Sequence, residues 1–244
     1  MSPLGAPAIE AALNTPSAVA AAPNGDIYIA DTLNYRVRMI DAKTGLIHTV
    51  AGDGTPGANS DDVGDGGPAP SAHLNMPSDV AITPNCDGQK IPCDIYIADM
   101  HHNRVRKVDG RTHIITTVAG NGRWSRSGDD GPATAATLAG PAGIALMPEP
   151  GGKLTIFIAD FYNETVRAVG PDGIMRSVSD EGRVAFGTPT RVAYAPRRGW
   201  LYVADSSEDK IVSLIIPRIA PSLVPKIPRL VPPRPLPPAK KVGG

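Results

Sequence analysis

The chain has 244 residues, with 24 basic and 24 acidic side chains, 26 Gly and 26 Pro. The charge is unevenly placed: from Pro217 onward there are six basic side chains and no acid, so the preceding residues carry a net charge of −6. An acidic body lacks the basic footprint of a nucleic-acid binder. No apolar run is long enough to span a membrane, and the start Met1-Ser-Pro-Leu-Gly-Ala-Pro does not read as a signal peptide.

Taken in chain order, one pattern recurs four times, opening at Pro16, Pro77, Pro141 and Pro189. Each copy has an apolar run, a turn, a strand closing on Ala-Asp and a polar loop. The second strands, Ile27–Ala30, Ile95–Ala98, Ile156–Ala159 and Leu201–Ala204, are continuously apolar, as for strands buried on both faces. The third strands alternate, as in Arg36-Val37-Arg38-Met39-Ile40 and Arg104-Val105-Arg106-Lys107-Val108, and so lie nearer the surface. A fourth strand follows at Ile47–Val50, Ile114–Val118 and Ile174–Val178. After Ile211–Ile216 comes Pro217, which cannot donate to a ladder, so the fourth copy lacks a clear outer strand. No segment keeps a helical period.

Repeats of roughly 40–70 residues built from four short antiparallel strands predict an all-β array of propeller blades. The blades run about 12–54, 74–122, 138–182 and 186–216, within one domain of residues 1–216. An open partial propeller is expected, with a tight four-bladed ring or one part of an assembly as the other arrangements. Open blade edges would be a surface for self-association. Residues 217–244 form a basic, Pro-rich tail expected to be disordered. In it, Arg229, Pro232 and Pro235 read as an SH3-type ligand, a pre-ordered polyproline segment with a free arginine.

The string IYIAD-TLN-YRVRMID, followed by TVAGDG and TVAGNG, resembles the NHL repeat, whose members usually form six-bladed β-propellers. The linkers Val63–Pro77 and Ser127–Pro141 align at an offset of 64 residues and are similar to those of bacterial and teneurin-type NHL arrays. The resemblance covers residues 5 to 216 and implies the fold. It says less about function, because such propellers include lyases, hydrolases and binding modules.

Chemistry must be sought where the copies differ. Asp31, Asp99, Asp160 and Asp205 recur with the strand, and so read as framework, accepting backbone donors or Arg36 and Arg104. The turn after each Ala-Asp strand lies on one face with the Gly-rich linkers. Leu33, Asn34, Tyr35, Met100, His101, His102, Phe161 and Tyr162 are its candidate binding residues, for a protein or carbohydrate partner. His101-His102 is the one chemically active departure, yet His48, His73 and His113 form no matching constellation. His102 stands where Asn34 and Asn163 stand, and both histidines read as solvated. The run Asp53 to Asp62 with Asp65 offers oxygen ligands for calcium but lacks the EF-hand pattern; Asp65 and Asp129 are expected to cap local backbone. No catalytic residue, metal or cofactor is assigned. The reading is a non-enzymatic scaffold, with a metal-dependent lyase or hydrolase of the amidating-lyase type as the alternative.

Cys86 and Cys93 border a short insertion between the first two strands of the second blade, where a hairpin brings them together. A disulfide there would indicate an extracellular or other oxidising compartment, and two reduced thiols would not.

Overall fold

A computed structural model describes residues 5–57, 63–87, 90–178 and 185–216. Asp61, Asp62 and the Pro-rich segment with Arg229, Pro232 and Pro235 lie outside these residues. The described residues form four antiparallel sheets with no α-helix among them. The first blade comprises β1 (Ala6–Pro7), β2 (Pro16–Ala21), β3 (Ile27–Asp31), β4 (Arg36–Ile40) and β5 (Leu46–Ala51). The second comprises β6 (Pro77–Ile82), β7 (Ile95–Asp99), β8 (Arg104–Val108) and β9 (Ile115–Ala119). The third comprises β10 (Pro141–Pro148), β11 (Leu154–Asp160), β12 (Thr165–Val169) and β13 (Met175–Ser177). The fourth holds β14 (Pro189–Ala195), β15 (Trp200–Asp205) and β16 (Lys210–Ile215), and no outer strand among the described residues.

Each innermost strand opens on a proline, and the register slips just after it, between Pro16 and Ala18, Pro77 and Asp79, Pro141 and Gly143, and Pro189 and Arg191. Proline has no N–H for the ladder, so a bulge there costs the sheet little. The added strand β1 belongs to the linker. Its pairing with β5 recurs as single bridges, Pro68 with Ile114 and Pro132 with Ile174, where the linkers touch the outer edges of the second and third blades.

The blades stack through apolar faces. One face of the first blade (Tyr28, Val37, Ala51) meets Val80, Ile95, Ile97, Val108 and Ile115 of the second, and Leu74 of the linker fills between them. The next two interfaces repeat this with Ile144, Ile156, Ile158 and Met175, then with Val192, Leu201, Val203 and Leu214. The innermost strands pack in order, β2 on β6, β6 on β10 and β10 on β14, and no comparable packing joins β14 to β2 among the described residues. The array is therefore open at both ends. Val19, the counterpart of Val80, Ile144 and Val192, is 69% exposed, and Ile211, the counterpart of the fully buried Val37, Val105 and Val166, is 64% exposed. Ile27 is likewise exposed. This corrects the expectation that its strand is covered on both faces: no blade precedes the first among the described residues.

One side chain ties the four blades across the middle. Arg191 donates to the carbonyl of the equivalent residue in each blade: Ser17 at 2.9 Å, Ser78 at 3.2 Å, Ala142 at 2.7 Å and Thr190 at 2.9 Å.

Cys86 and Cys93 are joined by a disulfide with their Cα atoms 4.9 Å apart, at the neck of the second-blade insertion.

Candidate functional site

After each Ala-Asp strand the chain makes one turn of 3-10 helix: Thr32–Asn34, Met100–His102, Phe161–Asn163 and Ser206–Glu208. Each turn ends on a left-handed residue: Tyr35, Asn103, Glu164 or Asp209. The wholly buried aspartate before the turn holds it. Asp31, Asp99 and Asp160 each accept a linker N–H, from Asn14, Asn75 and Ala139, at 2.7 Å. A second oxygen takes the side chain three residues on, which is Asn34 at 2.9 Å, His102 at 2.9 Å and Asn163 at 2.8 Å.

His102 is therefore not a solvated loop residue. It is wholly buried with Nδ1 on Asp99, occupying the site of an asparagine, and its Nε2 has no partner. The sequence showed the positional equivalence, but histidine's usual exposure pointed the other way. It is withdrawn from the candidate binding surface, whereas its neighbour His101 is exposed.

The arginines also differ from expectation. The aspartates face Arg38, Arg106 and Arg167, at 3.9, 3.2 and 3.6 Å. Arg36 instead reaches the Asp53 carbonyl at 2.8 Å, and Arg104 reaches the carbonyls of His102 and Asn121, each at 3.2 Å. Both stand at the strand start beside Gly54 and Gly122, where a Cβ would lie within 2.6 Å of the guanidinium. Asp65 and Asp129 do not cap local backbone. They pair with the buried Arg106 and Arg167, at 2.7 and 2.8 Å, clamping each linker to the blade it enters. Burial pushes the Asp160 carboxyl up to about 6, opposed by Asn163, the Ala139 N–H and Arg167.

Aromatic side chains gather on this face. Tyr162 is 50% exposed and lies over Gly140, where a Cβ would come within 2.6 Å of its ring and 3.5 Å of Met100 Cε. Phe161 meets Tyr162 edge-on at 4.6 Å, and Trp124 packs on Tyr162 at 4.4 Å with its ring tilted by 39°. Met100, Phe161 and Tyr162 are thus brought together. Leu33, Asn34 and Tyr35 stay with the first blade, Asn34 holding the Ala12 carbonyl and Asp31. Trp124, 57% exposed, was not among the sequence candidates. The signal was present: it falls where the linkers differ, with four residues between Gly122 and Ser127 against eight between Gly54 and Val63.

Among the described residues no three His, Cys, Asp or Glu side chains are grouped to hold a metal ion, and no helix is long and apolar enough to cross a membrane.

No family profile matches the chain. It is 28% identical over 231 residues to NHL repeat-containing protein 2 of Gallus gallus, covering 83% of this chain and 31% of that protein. The chain thus spans about a third of that relative's length. By structure it is similar to an auxiliary nutrient binding protein from Bacteroides thetaiotaomicron, with a TM-score of 0.59 at 15% identity over 81% of this chain and 47% of that one. It is also similar to a chain of a nidogen/laminin complex, with a TM-score of 0.56 at 13% identity over 83% of this chain and 61% of that one. With four repeats, four blades and recurring Ala-Asp turns in agreement, the chain has a β-propeller fold and is similar in sequence to NHL repeat-containing proteins.

Proposed function

We propose that this propeller is a non-enzymatic binding scaffold that recognises a protein or carbohydrate partner through its loop face. The observation that carries the reading is the cluster of Trp124, Phe161 and Tyr162 on Gly140. Trp124 and Tyr162 are exposed and Phe161 is half-buried beside them, whereas Asn34, His102 and Asn163 of the same turns are held by the framework aspartates. Aromatic side chains offer large contact area at low entropic cost, which suits recognition. Arg191 also bears on the alternative lyase or hydrolase reading. It places a cation on the axis, where a metal-dependent enzyme would need converging acids and imidazoles.

The open faces at Val19 and Ile211 are the proposed surfaces for self-association, because in every other blade the equivalent residues are covered by a neighbouring blade. The Pro-rich tail is a separate proposed contact for an SH3-type partner.

The test is a set of glycan and peptide arrays probed with the wild-type protein and with a W124A/Y162A variant. Both substituted residues are half-exposed, so the fold should survive, as circular dichroism would verify. The expected result is at least one ligand class bound by the wild type and weakened tenfold or more in the variant. Binding that ignores the substitution, or turnover of a lyase substrate that survives it, would overturn the reading.

A further inference from the structure

The linkers entering the second and third blades match each other at Gly52-Asp53-Gly54 and Gly120-Asn121-Gly122 and again through Val63–Pro77 and Ser127–Pro141, but what lies between differs in length and kind. Eight residues, 55–62, stand in the first of these linkers where four, Arg123-Trp124-Ser125-Arg126, stand in the second, and the local charge passes from −2 to +2. This reversal falls within a body whose net charge is −6. A repeat framework does not require it, since the other linker enters its blade without it.

The Arg-Trp-Ser-Arg stretch is held in place. The Arg123 N–H donates to Asn121 Oδ1 at 3.0 Å, Trp124 bridges Leu138, the Ser125 carbonyl accepts Asn163 Nδ2 at 2.8 Å, and Ser127 Oγ lies 3.0 Å from Thr137 Oγ1. A loop pinned at four successive points presents its side chains with little ordering left to do on binding. Arg123, Trp124 and Arg126 are all exposed, and among the described residues neither guanidinium has an ion pair or a side-chain hydrogen bond. The nearest acid in sequence, Asp129, is already engaged by Arg167 and Ser177, at 2.8 and 2.7 Å.

We propose that this loop is an anionic-glycan site. Trp124, backed by Tyr162, stacks on a sugar ring, and Arg123 and Arg126 take the carboxylates of a uronate-bearing oligosaccharide. The assignment rests on the loop-face reading above and gives its ligand a class. An aromatic face accommodates the apolar face of a pyranose, and guanidinium pairs with carboxylate in a planar fork. Single-stranded nucleic acid also combines rings with anions, but it needs a basic groove along its backbone. Here two unpaired arginines sit in a domain of net charge −6, which suits a short ligand bearing one charge per sugar.

The experiment titrates the full chain with tetragalacturonate, a neutral gluco-oligosaccharide of equal length and a mixed-sequence oligonucleotide, by calorimetry in low and moderate salt. The wild type should bind tetragalacturonate in preference to the other two, and more weakly as salt rises. R123Q/R126Q should raise its Kd at least tenfold, and W124A should abolish binding; unchanged thermal melting would show that both variants fold. Neutral-sugar binding lost in W124A but kept in R123Q/R126Q overturns the anionic assignment and leaves the loop-face scaffold standing. Preference for the oligonucleotide, or no binding of tetragalacturonate, also overturns the assignment, and the scaffold is then judged by its own array experiment.

Discussion

Replacing the same arginine by methionine in three successive blades measures what a buried ion pair contributes when only its surroundings change. Arg106 is wholly buried and donates to Asp99 at 3.2 Å, Asp65 at 2.7 Å and the Val63 carbonyl at 3.1 Å. R106M leaves Asp99 charged at a site with no solvent access, and removing one partner of such a pair costs about 3–5 kcal/mol. Arg38 stands 3.9 Å from Asp31, its side chain is 18% exposed, and the linker position matching Asp65 is Leu4. R38M also leaves a buried carboxylate, but the contact it removes is long and its guanidinium partly exposed, so it should cost less than R106M, about 1 kcal/mol. Arg167 falls between them: it has Asp129 at 2.8 Å, but Asp160 lies at 3.6 Å and its Nε has no partner. At about 2–4 °C per kcal/mol for a domain of this size, R106M should lower the melting temperature by roughly 6–20 °C and R38M by a few degrees at most. Thermal melts followed by circular dichroism, with urea titrations as a second measure, give the order R106M, R167M, R38M. Equal losses for R38M and R106M would refute the reasoning, because the linker aspartate and full burial would then contribute nothing.

Two further outcomes follow from the structure. Reducing the Cys86–Cys93 disulfide, or replacing both residues with serine, reopens a loop with a sequence separation of 7. Chain entropy values its closure at about 2.5 kcal/mol, so the melting temperature should drop by roughly 5–10 °C, and an unchanged melt in reductant would show that the bond contributes nothing. The Asp160 carboxyl, raised by burial to about 6, binds its proton more tightly folded than unfolded. Its contribution to stability is therefore fully present below the ordinary aspartate value near 4 and is lost as pH rises through about 6. A carboxyl carbon titration by NMR should place its midpoint near 6, and a midpoint at or below 4 would contradict the desolvation argument.

The architecture was legible because the repeat constrains it in several independent ways. Each Ala-Asp strand and each proline at the start of an inner strand has a local chemical reason that survives without knowledge of the neighbours. The Cys86–Cys93 pairing was legible for the same reason, because a hairpin neck is a local object. What could not be read was burial, which depends on the neighbouring blade. His102 resembles a solvated histidine until Asp99 and the linker close over it. Asp65 resembles a turn cap until Arg106 of the following blade arrives beneath it. Ile27 and Val19 carry the same pattern as Ile95 and Val80, and only the absence of a preceding blade among the described residues leaves them exposed. Trp124 lies in the one stretch where the linkers differ in length, so no repeat position marks it, and only its contact with Tyr162 makes it part of the face.

Arg191 changes what kind of object this array is. Blades stacked only on their neighbours behave as a one-dimensional series, in which a terminal unit can fray without consulting the rest. A guanidinium that holds Ser17 from a position 174 residues later, along with Ser78 and Ala142, closes that series into a circuit. The first blade then cannot loosen without withdrawing a hydrogen-bond acceptor from the fourth, and the loss is shared by the two between them. A single residue that in the other blades is alanine, aspartate or glycine thus couples the two ends of an open array, making cooperativity a property of its axis as well as of its interfaces.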